Sequence, residues 1–596
     1  MRFEINLADL NPALPCHHDT PEEWSRHGIL ATTQGARIDL ASDQGLFGVL
    51  VGQANSPEQS KPLSAKAILG LYASQGKRFL DGLRGRYAIA VIDSRQRTVW
   101  LANDRMAVNG WCYRLSPGRI IFSDRADQIG EDSPISRQAL LSYLIQHVIP
   151  APATIFEEVS RLPAGHLLRV SEKGCELAPH WVPTFSEPAA PDFAALKDEF
   201  RALIEASVAQ IANNRPGETL GTFLSGGTDS STVSGTLQKL ADRPIRAYSI
   251  GFDVNGYDEM EFARIAARHF GIDHREYYLT PEDVRTGMPL VATHYDQPFG
   301  NSSAVAAYHC ARVAQTEGIT TLLAGDGGDE LFGGNARYAK QRIFSWYANI
   351  PAPLRHLVME PLFADNALAG KIPLVSKVGS YIQQARVPLP DRMNMYNLLQ
   401  RLGLQEVLTP AFLANVSAEQ IEAEQRATYQ ACSSPFQVNR MLAYDWKYTL
   451  ADNDLPKVLG TTGLAGIQVE FPLLADALID FSARLPAEYK LHGLQLRWFF
   501  KEALRDFLPG EILSKKKQGF GLPFGVWALQ HDALRKLAES ALASFGERGV
   551  IRPAFIQRLI KDLLPAYPGY YGELAWIITM LEFWLQDRVP QFRLDD

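Results

Sequence analysis

Cysteine is scarce in this chain: Cys16, Cys112, Cys175, Cys310 and Cys432 are the only five in 596 residues, and no two form a C-x-x-C pair. Neither a structural zinc site nor a disulfide framework is therefore expected. Cys16 sits beside His17 and His18, but no further ligand stands nearby, and the trio reads as a surface loop. Excess positive charge is also missing, since 59 Lys and Arg face 66 Asp and Glu for a formal net charge of -7. That balance gives no reason to expect a nucleic-acid partner. No run of about 18 apolar residues occurs, so no membrane-spanning helix is expected. Glu4, Asn6, Asp9 and Asn11 interrupt any apolar stretch at the start, which argues against a signal peptide. Repeats and low-complexity tracts are absent. What remains is a globular composition, 46% hydrophobic and 21% charged, long enough for two or more domains and cytoplasmic by expectation.

Two glycine-rich segments carry the chemistry. Ser225-Gly226-Gly227-Thr228-Asp229-Ser230 follows the strand-like run Thr219 to Leu224. It precedes a stretch in which Val233, Leu237 and Leu240 fall at helical spacing. A strand, a glycine turn and a helix start expose backbone N–H groups to an anion, and the helix dipole favours negative charge. No Gly-Lys-Ser/Thr follows, so this is not a Walker loop. Asp229 would repel a phosphate unless a cation stood between them, which implies Mg²⁺. An ordinary glycine turn with a Ser or Asp cap is the alternative that this segment alone leaves open. The second segment, Ile319 to Asn335, runs from a β-branched strand into a loop with Asp326, Asp329 and Glu330 among glycines. Three carboxylates on such a loop repel one another and pack poorly, whereas hard oxygen ligands suit Mg²⁺.

Together the loops resemble the ATP-pyrophosphatase (synthetase) domain of asparagine synthetases and their relatives. The resemblance implies that Asp229 and Asp329 hold Mg²⁺ on the pyrophosphate of ATP. It also implies that Ser225, Gly226, Gly227, Asp229, Ser230 and Gly325 line the nucleotide site. Tyr248-Ser249-Ile250-Gly251-Phe252 is similar to the family's adenine strand, which assigns nucleotide contacts to Ser249, Ile250 and Gly251. Tyr257-Asp258-Glu259 matches the segment that follows it. Leu513 to Pro523, with Lys515, Lys516 and Lys517 before Gln518-Gly519-Phe520, matches the far end of the domain. Lys517 takes the position of the lysine that meets the charge developing as the acyl-adenylate forms and breaks. By the same resemblance Asp326 and Glu330 join Lys517 as catalytic candidates, while Lys515 and Lys516 are expected in solvent.

The first 185 residues are similar to the family's glutaminase half through Leu83 to Asp93, Asn103-Asp104-Arg105 and Arg161 to His166. In working members the nucleophile is a cysteine at position 2, its own amine acting as base. Here position 2 is Arg2, and Val51-Gly52-Gln53-Ala54-Asn55 stands where an Asn-Gly-Glu substrate loop would be. This half is expected to keep its fold and to have lost glutamine hydrolysis.

The expected architecture is α/β. An Ntn-hydrolase-like αββα sandwich over residues 1–185 precedes a ligase domain over 186–596. That domain is a doubly wound parallel sheet of the adenine nucleotide α-hydrolase-like kind with a helical C-terminal region. Pro179, Pro183, Pro188 and Pro191 mark the linker. No clear strand is expected beyond about residue 337. In that helical region two arginine positions of the family have become Gly460 and Glu470. Arginine is the natural fork for a small carboxylate, so a grip on free aspartate is not expected.

Three readings stay open. One is an adenylating ligase whose amine belongs to the substrate, as in lasso-peptide cyclases, which would work with a leader peptide and a protease partner. The second is an asparagine synthetase (asparagine biosynthesis) using free ammonia. The third is an inactive ATP-binding scaffold. β-Lactam-forming synthetases are set aside because they place tyrosine where Asp326 stands. ATP and Mg²⁺ are the cofactors, a small-molecule or peptide carboxylate and an amine are the substrates, and a homodimer is expected from the relatives.

Overall fold

The computed structural model describes residues 1–10, 20–33, 38–56, 61–215, 217–364, 373–516 and 521–594. The N-terminal part is a sandwich of two antiparallel sheets. One has the strand order Ile29–Thr32, Arg2–Asn6, Arg119–Ser123, Cys112–Ser116 and Ser160–Arg161. The other runs Gly174–Pro179, His166–Ser171, Thr98–Asn103, Arg84–Asp93, Leu46–Asn55 and Ile38–Asp43. Strand alternation puts Phe3, Ile5, Ile120 and Phe122 against Phe47, Val49, Ala88 and Leu101 in the dry layer between the sheets. Helix Ala65–Gln75 covers the outer face of the larger sheet through Ile68, Leu69 and Tyr72. Helix Arg137–Gln146 covers the smaller sheet, and every residue from Ala139 to Ile145 is buried because the ligase part packs on its other side. The expected αββα sandwich is thus observed.

The segment after Pro179 is pinned to its neighbours. Trp181 stacks on Trp446 with centroids 6.1 Å apart, and Phe185 packs on the same indole. Helix Phe193–Asn213 then leads into a five-stranded parallel sheet. Its order is Asp273–Leu279, Arg246–Phe252, Leu220–Phe223, Thr321–Leu323 and Gln468–Glu470. The chain first builds outward from Leu220–Phe223 in one direction and then returns to its other side. The strand order reverses between Leu220–Phe223 and Thr321–Leu323, and beyond their C-termini is where sheets of this kind form a ligand crevice. The last strand, Gln468–Glu470, corrects the expectation that no strand follows residue 337. Three residues show no periodicity, and this strand exists because Thr321–Leu323 offers it a parallel edge. Apart from a short antiparallel pair, Leu491–His492 with Gln495–Leu496, which also departs from that expectation, the remainder is helical, closed by Pro568–Arg588, which is buried along most of its length and sends the indoles of Trp576 and Trp584 to the carbonyls of Gly300 and Tyr295.

Candidate active site

Both glycine loops leave the sheet at the crevice. Gly226 turns with φ +67°, and a Cβ there would overlap backbone atoms of Phe262 and Ala263, so glycine is required. Gly227 is the N-cap of helix Thr228–Leu240 and brings no side chain to the first-turn N–H groups, which suits an anion. Ser230 closes the loop. Its Oγ accepts the Ser225 N–H at 3.1 Å and meets the Ser225 hydroxyl at 2.9 Å.

The second loop is wedged against the first. A Cβ on Gly325 would lie 2.7 Å from Ser230 N and 2.9 Å from the Asp229 carbonyl carbon, and one on Gly328 would overlap the Asp229 carboxylate. Asp229 and Asp329 converge as a result. The Arg497 guanidinium bridges them, with Nη1 and Nη2 each 2.7 Å from an Asp229 oxygen and Nη2 also paired with Asp329. The space between these carboxylates therefore already accommodates a positive group. A pair of carboxylates fits Mg²⁺, which commonly takes one or two protein carboxylates plus a substrate phosphate. Among the described residues no group of three or more His, Cys, Asp or Glu forms a metal cage, and an ion carried by a nucleotide does not need one.

Asp326 lies 3.9 Å from Lys457 Nζ, which also holds Asp454 at 2.9 Å. Burial pushes Asp326 up to about 6, with Lys457 opposing the shift. Burial acts to lower the Lys457 pKa, but Asp454 and Asp326 overcome it and raise the value. Glu330 is only 6% exposed. Its charge acts on Lys457 and Tyr338, so it supports the lysine from within rather than facing an open site. Arg337 and the Tyr338 hydroxyl share the buried Asp445.

Lys517 lies outside the described residues. Its neighbour Lys515 corrects the expectation of a solvated side chain. Its side chain is 9% exposed, with Nζ 3.1 Å from Glu259 Oε2 and 4.5 Å above the Phe262 ring, within 3.4 Å of the Gly226 carbonyl. Burial lowers its pKa against the pull of Glu259. Lys515 thus braces the Gly226 turn. Nothing in a run of three lysines distinguishes it. The distant Glu259 does.

On the strand Arg246–Phe252, Ser249 donates to the Leu224 carbonyl and meets His274 Nε2 at 2.6 Å, which uses its hydroxyl to tie three segments together. Ile250 is half-buried, and a Cβ on Gly251 would crowd Tyr278 and Asp258. Any nucleotide contact from these three falls mainly to backbone.

Gly460 and Glu470 are both closely packed. A Cβ on Gly460 would overlap the Tyr295 ring, whose hydroxyl donates to the Lys457 carbonyl at 3.0 Å. Glu470 is clasped by Arg215 and by Arg86 of the sandwich. The same junction pairs Arg105 with Asp476 at 3.0 Å and with Asp480 at 2.6 Å. Its neighbour Asp104 is buried, takes backbone N–H groups from Tyr87, Met106, Val108 and Asn109, and is pushed up to about 7 by burial. Asn103-Asp104-Arg105 is therefore part turn, part dock. A cavity of about 180 Å³ lies where the sandwich meets the helical layer, lined in part by Gln146, Arg337, Asn394, Gln425, Tyr448 and Asn453.

At the start of the sandwich Arg2 points outward beside Glu4, its side chain 44% exposed. The amino group of Met1 is bound by Asp124 at 2.8 Å and Gln128 at 3.1 Å. The Cys112 thiol on the same sheet is buried and pushed up to about 12, which makes it inert as a replacement nucleophile. Cys16 with His17 and His18 lies outside the described residues.

A family model described as asparagine synthase matches residues 199–586, and one described as a glutamine amidotransferase domain matches residues 63–181. Glutamine-hydrolyzing asparagine synthetase 1 of Bacillus subtilis (strain 168) is 22% identical over 522 residues, 87% of this chain and 80% of that protein. Asparagine synthetase B of Escherichia coli (strain K12) is 27% identical over 290 residues, 46% of this chain and 48% of that protein. Glutamine-hydrolyzing asparagine synthetase 3 of Bacillus subtilis (strain 168) is 21% identical over 490 residues, 78% of this chain and 72% of that protein.

Proposed function

This chain belongs to the asparagine synthase family and is an ATP-dependent, AMP-forming ligase, and we propose that it joins a peptide carboxylate to an amine carried by the substrate itself, as in lasso-peptide isopeptide formation. The observation that carries the chemistry is the contact of the two glycine loops, which brings Asp229 and Asp329 together over an uncapped helix start. The domains are residues 1–185 and 186–596, joined by the segment pinned on Trp446.

The first-turn N–H groups after Gly227 and the Ser225–Ser230 pair hold the β- and γ-phosphates. Asp229 and Asp329 are the residues that would hold Mg²⁺, which would supply charge neutralisation at the departing pyrophosphate. The acid's carboxylate attacks the α-phosphorus, pyrophosphate departs, and Lys517 meets the charge gathering on the phosphoryl oxygens. The amine then attacks the acyl carbon and expels AMP. Asp326, with its raised pKa, takes the proton that the amine gives up. Lys515 keeps the turn in place throughout.

Two observations favour a peptide acid. At Gly460 the Tyr295 ring fills the space of a side chain, and Glu470 is clasped by Arg86 and Arg215, so neither position offers a free guanidinium. Six of the thirteen residues lining the cavity at the junction are carboxamides, and its arginine, Arg337, is already paired with Asp445. Amide side chains suit peptide groups, whereas a free dicarboxylate needs an uncommitted cation. Arg2 at position 2 and the protonated Cys112 thiol speak against glutamine as the nitrogen donor, which leaves an amine of the substrate or free ammonia. The second reading is aspartate with free ammonia; its acid is favoured by the names of the relatives, which are glutamine-hydrolyzing asparagine synthetases. The protein works in the cytoplasm. Among its described residues no helix is long and apolar enough to cross a membrane.

The test is ³¹P NMR of the protein with MgATP and, in parallel, aspartate plus ammonium, glutamine, or an aspartyl peptide with a free N-terminus. Pyrophosphate and AMP with the peptide alone, and no glutamate from glutamine, are expected. Asparagine formation from aspartate and ammonium would transfer the assignment to the second reading. ADP as the main product would overturn both.

A further inference from the structure

We propose that Arg497 is a resident counter-cation that holds Asp229 and Asp329 together before the nucleotide arrives and excludes free divalent metal from the pair. The inference rests on the reading of these aspartates as ligands of a nucleotide-borne metal. Arg497 is a positioning residue in this scheme, not a catalytic one.

The geometry is that of a built fitting. Arg497 forms a two-pronged bond to Asp229, with both N–O distances 2.7 Å, and also pairs with Asp329 and the Thr228 hydroxyl. Its side chain is 8% exposed and lies over the Phe500 ring at 5.7 Å. The backbone is specialised as well. Arg497 has φ +54° and ψ +34°, a left-handed conformation uncommon for a residue with a Cβ. Its N–H is directed at the Gly333 carbonyl at 3.2 Å and the Lys490 carbonyl at 3.0 Å. Gly334 completes the fitting, since a Cβ there would overlap both Asp329 Oδ1 and Arg497 Nε. Glycine in Leu-Phe-Gly-Gly is therefore needed to seat the arginine.

Charge explains what this does. Two carboxylates on different loops repel, and one guanidinium between them offsets most of that repulsion in a partly desolvated site. A bare divalent ion must displace a forked, buried guanidinium whose other side-chain partner is only the neutral Thr228 hydroxyl. A metal–nucleotide complex brings phosphate oxygens, which accept the same fork, so the arginine can exchange carboxylate for phosphate as the ion takes its place. Metal thus enters with its nucleotide and not ahead of it.

The experiment uses the full chain, without nucleotide, and Mn²⁺ as the probe in an EPR titration, beside thermal unfolding with EDTA and with Mn²⁺. Arg497→Met should bind Mn²⁺ at least about tenfold more tightly than the unmodified protein. It should also melt lower in EDTA and recover when Mn²⁺ is added, whereas the unmodified protein should not respond to Mn²⁺ alone. Arg497→Lys, which keeps the charge but lacks the fork, should shift both readouts in the same direction by less. Unchanged Mn²⁺ affinity in both variants overturns the proposal, because a merely structural arginine would lower stability without opening a metal site. Asp329→Asn separates the two levels of argument. If it leaves MgATP affinity unchanged, the metal-ligand reading fails and the proposal fails with it. If it weakens MgATP while Arg497→Met leaves free-metal binding alone, only the arginine proposal fails.

Discussion

Gly325→Ala should disable the enzyme without unfolding it, because the added methyl lands between the two nucleotide loops. The new Cβ would sit 2.7 Å from Ser230 N, 2.9 Å from Asp229 C and 3.0 Å from Ser230 Cα. All three are backbone atoms, so no side chain can rotate away. Ordinary carbon contacts begin near 3.5 Å, so the loops must part by roughly 0.5–1 Å. Overpacking of this kind costs about 1–3 kcal/mol, and reacting groups misplaced by about 1 Å lose on the order of 10²-fold in rate. The combined expectation is a fall of roughly 10²–10³ in kcat/KM for pyrophosphate release. Gly510→Ala is the control, since nothing lies within 4 Å of a Cβ at that position. It should match the unmodified protein in rate and be unchanged or slightly more stable. The assay is pyrophosphate release with the peptide acid, with circular dichroism and thermal unfolding on each variant. A Gly325→Ala protein within about threefold of the unmodified rate would refute the claim that these loops must touch.

Asp229→Asn and Asp329→Asn should each lose about 2–4 kcal/mol of transition-state stabilisation, read as a roughly 30- to 1,000-fold slower pyrophosphate release; near-normal rates would remove them from the metal site. Lys517→Met should leave ATP affinity nearly unchanged in a binding titration while lowering kcat by roughly 10²–10³. Lys515→Met should instead lower stability and weaken ATP binding, since it strips the brace from the Gly226 turn; an effect on kcat alone would contradict that role. The pKa of Asp326 lies above its ordinary value of 3.8, at about 6, because of burial. The folded chain therefore retains a proton that the unfolded chain releases as pH rises through that window, so this group's contribution makes stability fall between about pH 4 and pH 6 and level off above. Asp326→Asn should remove that component in urea unfolding at several pH values, and an unaltered slope would show that Asp326 does not carry it.

Local patterns made part of this protein legible. The strand–turn–helix order around Ser225 to Ser230 and the strand before Gly325 follow from β-branched runs and helical spacing, which depend only on near neighbours in the chain. The glycine positions were legible as loops, and the structure adds which atoms each glycine admits. The absence of cysteine at position 2 was readable at once. Lys515, Arg497 and Glu470 were not readable in this way. A lysine among lysines, an arginine before an aromatic helix and a glutamate after a valine carry no local signal, and each acquires its role from a partner far along the chain: Glu259, the Asp229–Asp329 pair, and Arg86 with Arg215.

The sequence by itself determined the family, the two glycine-rich loops and an arginine at position 2, because these are properties of residue identity at fixed short spacing. Tertiary structure alone decided that Gln468–Glu470 is a strand, that Gly460 is covered by Tyr295, and that a guanidinium stands between the two aspartates. The physical reason is common to all three. Burial, edge pairing and charge compensation depend on distances across the fold, and those distances exist only once the loops at the sheet's switch point have closed on each other.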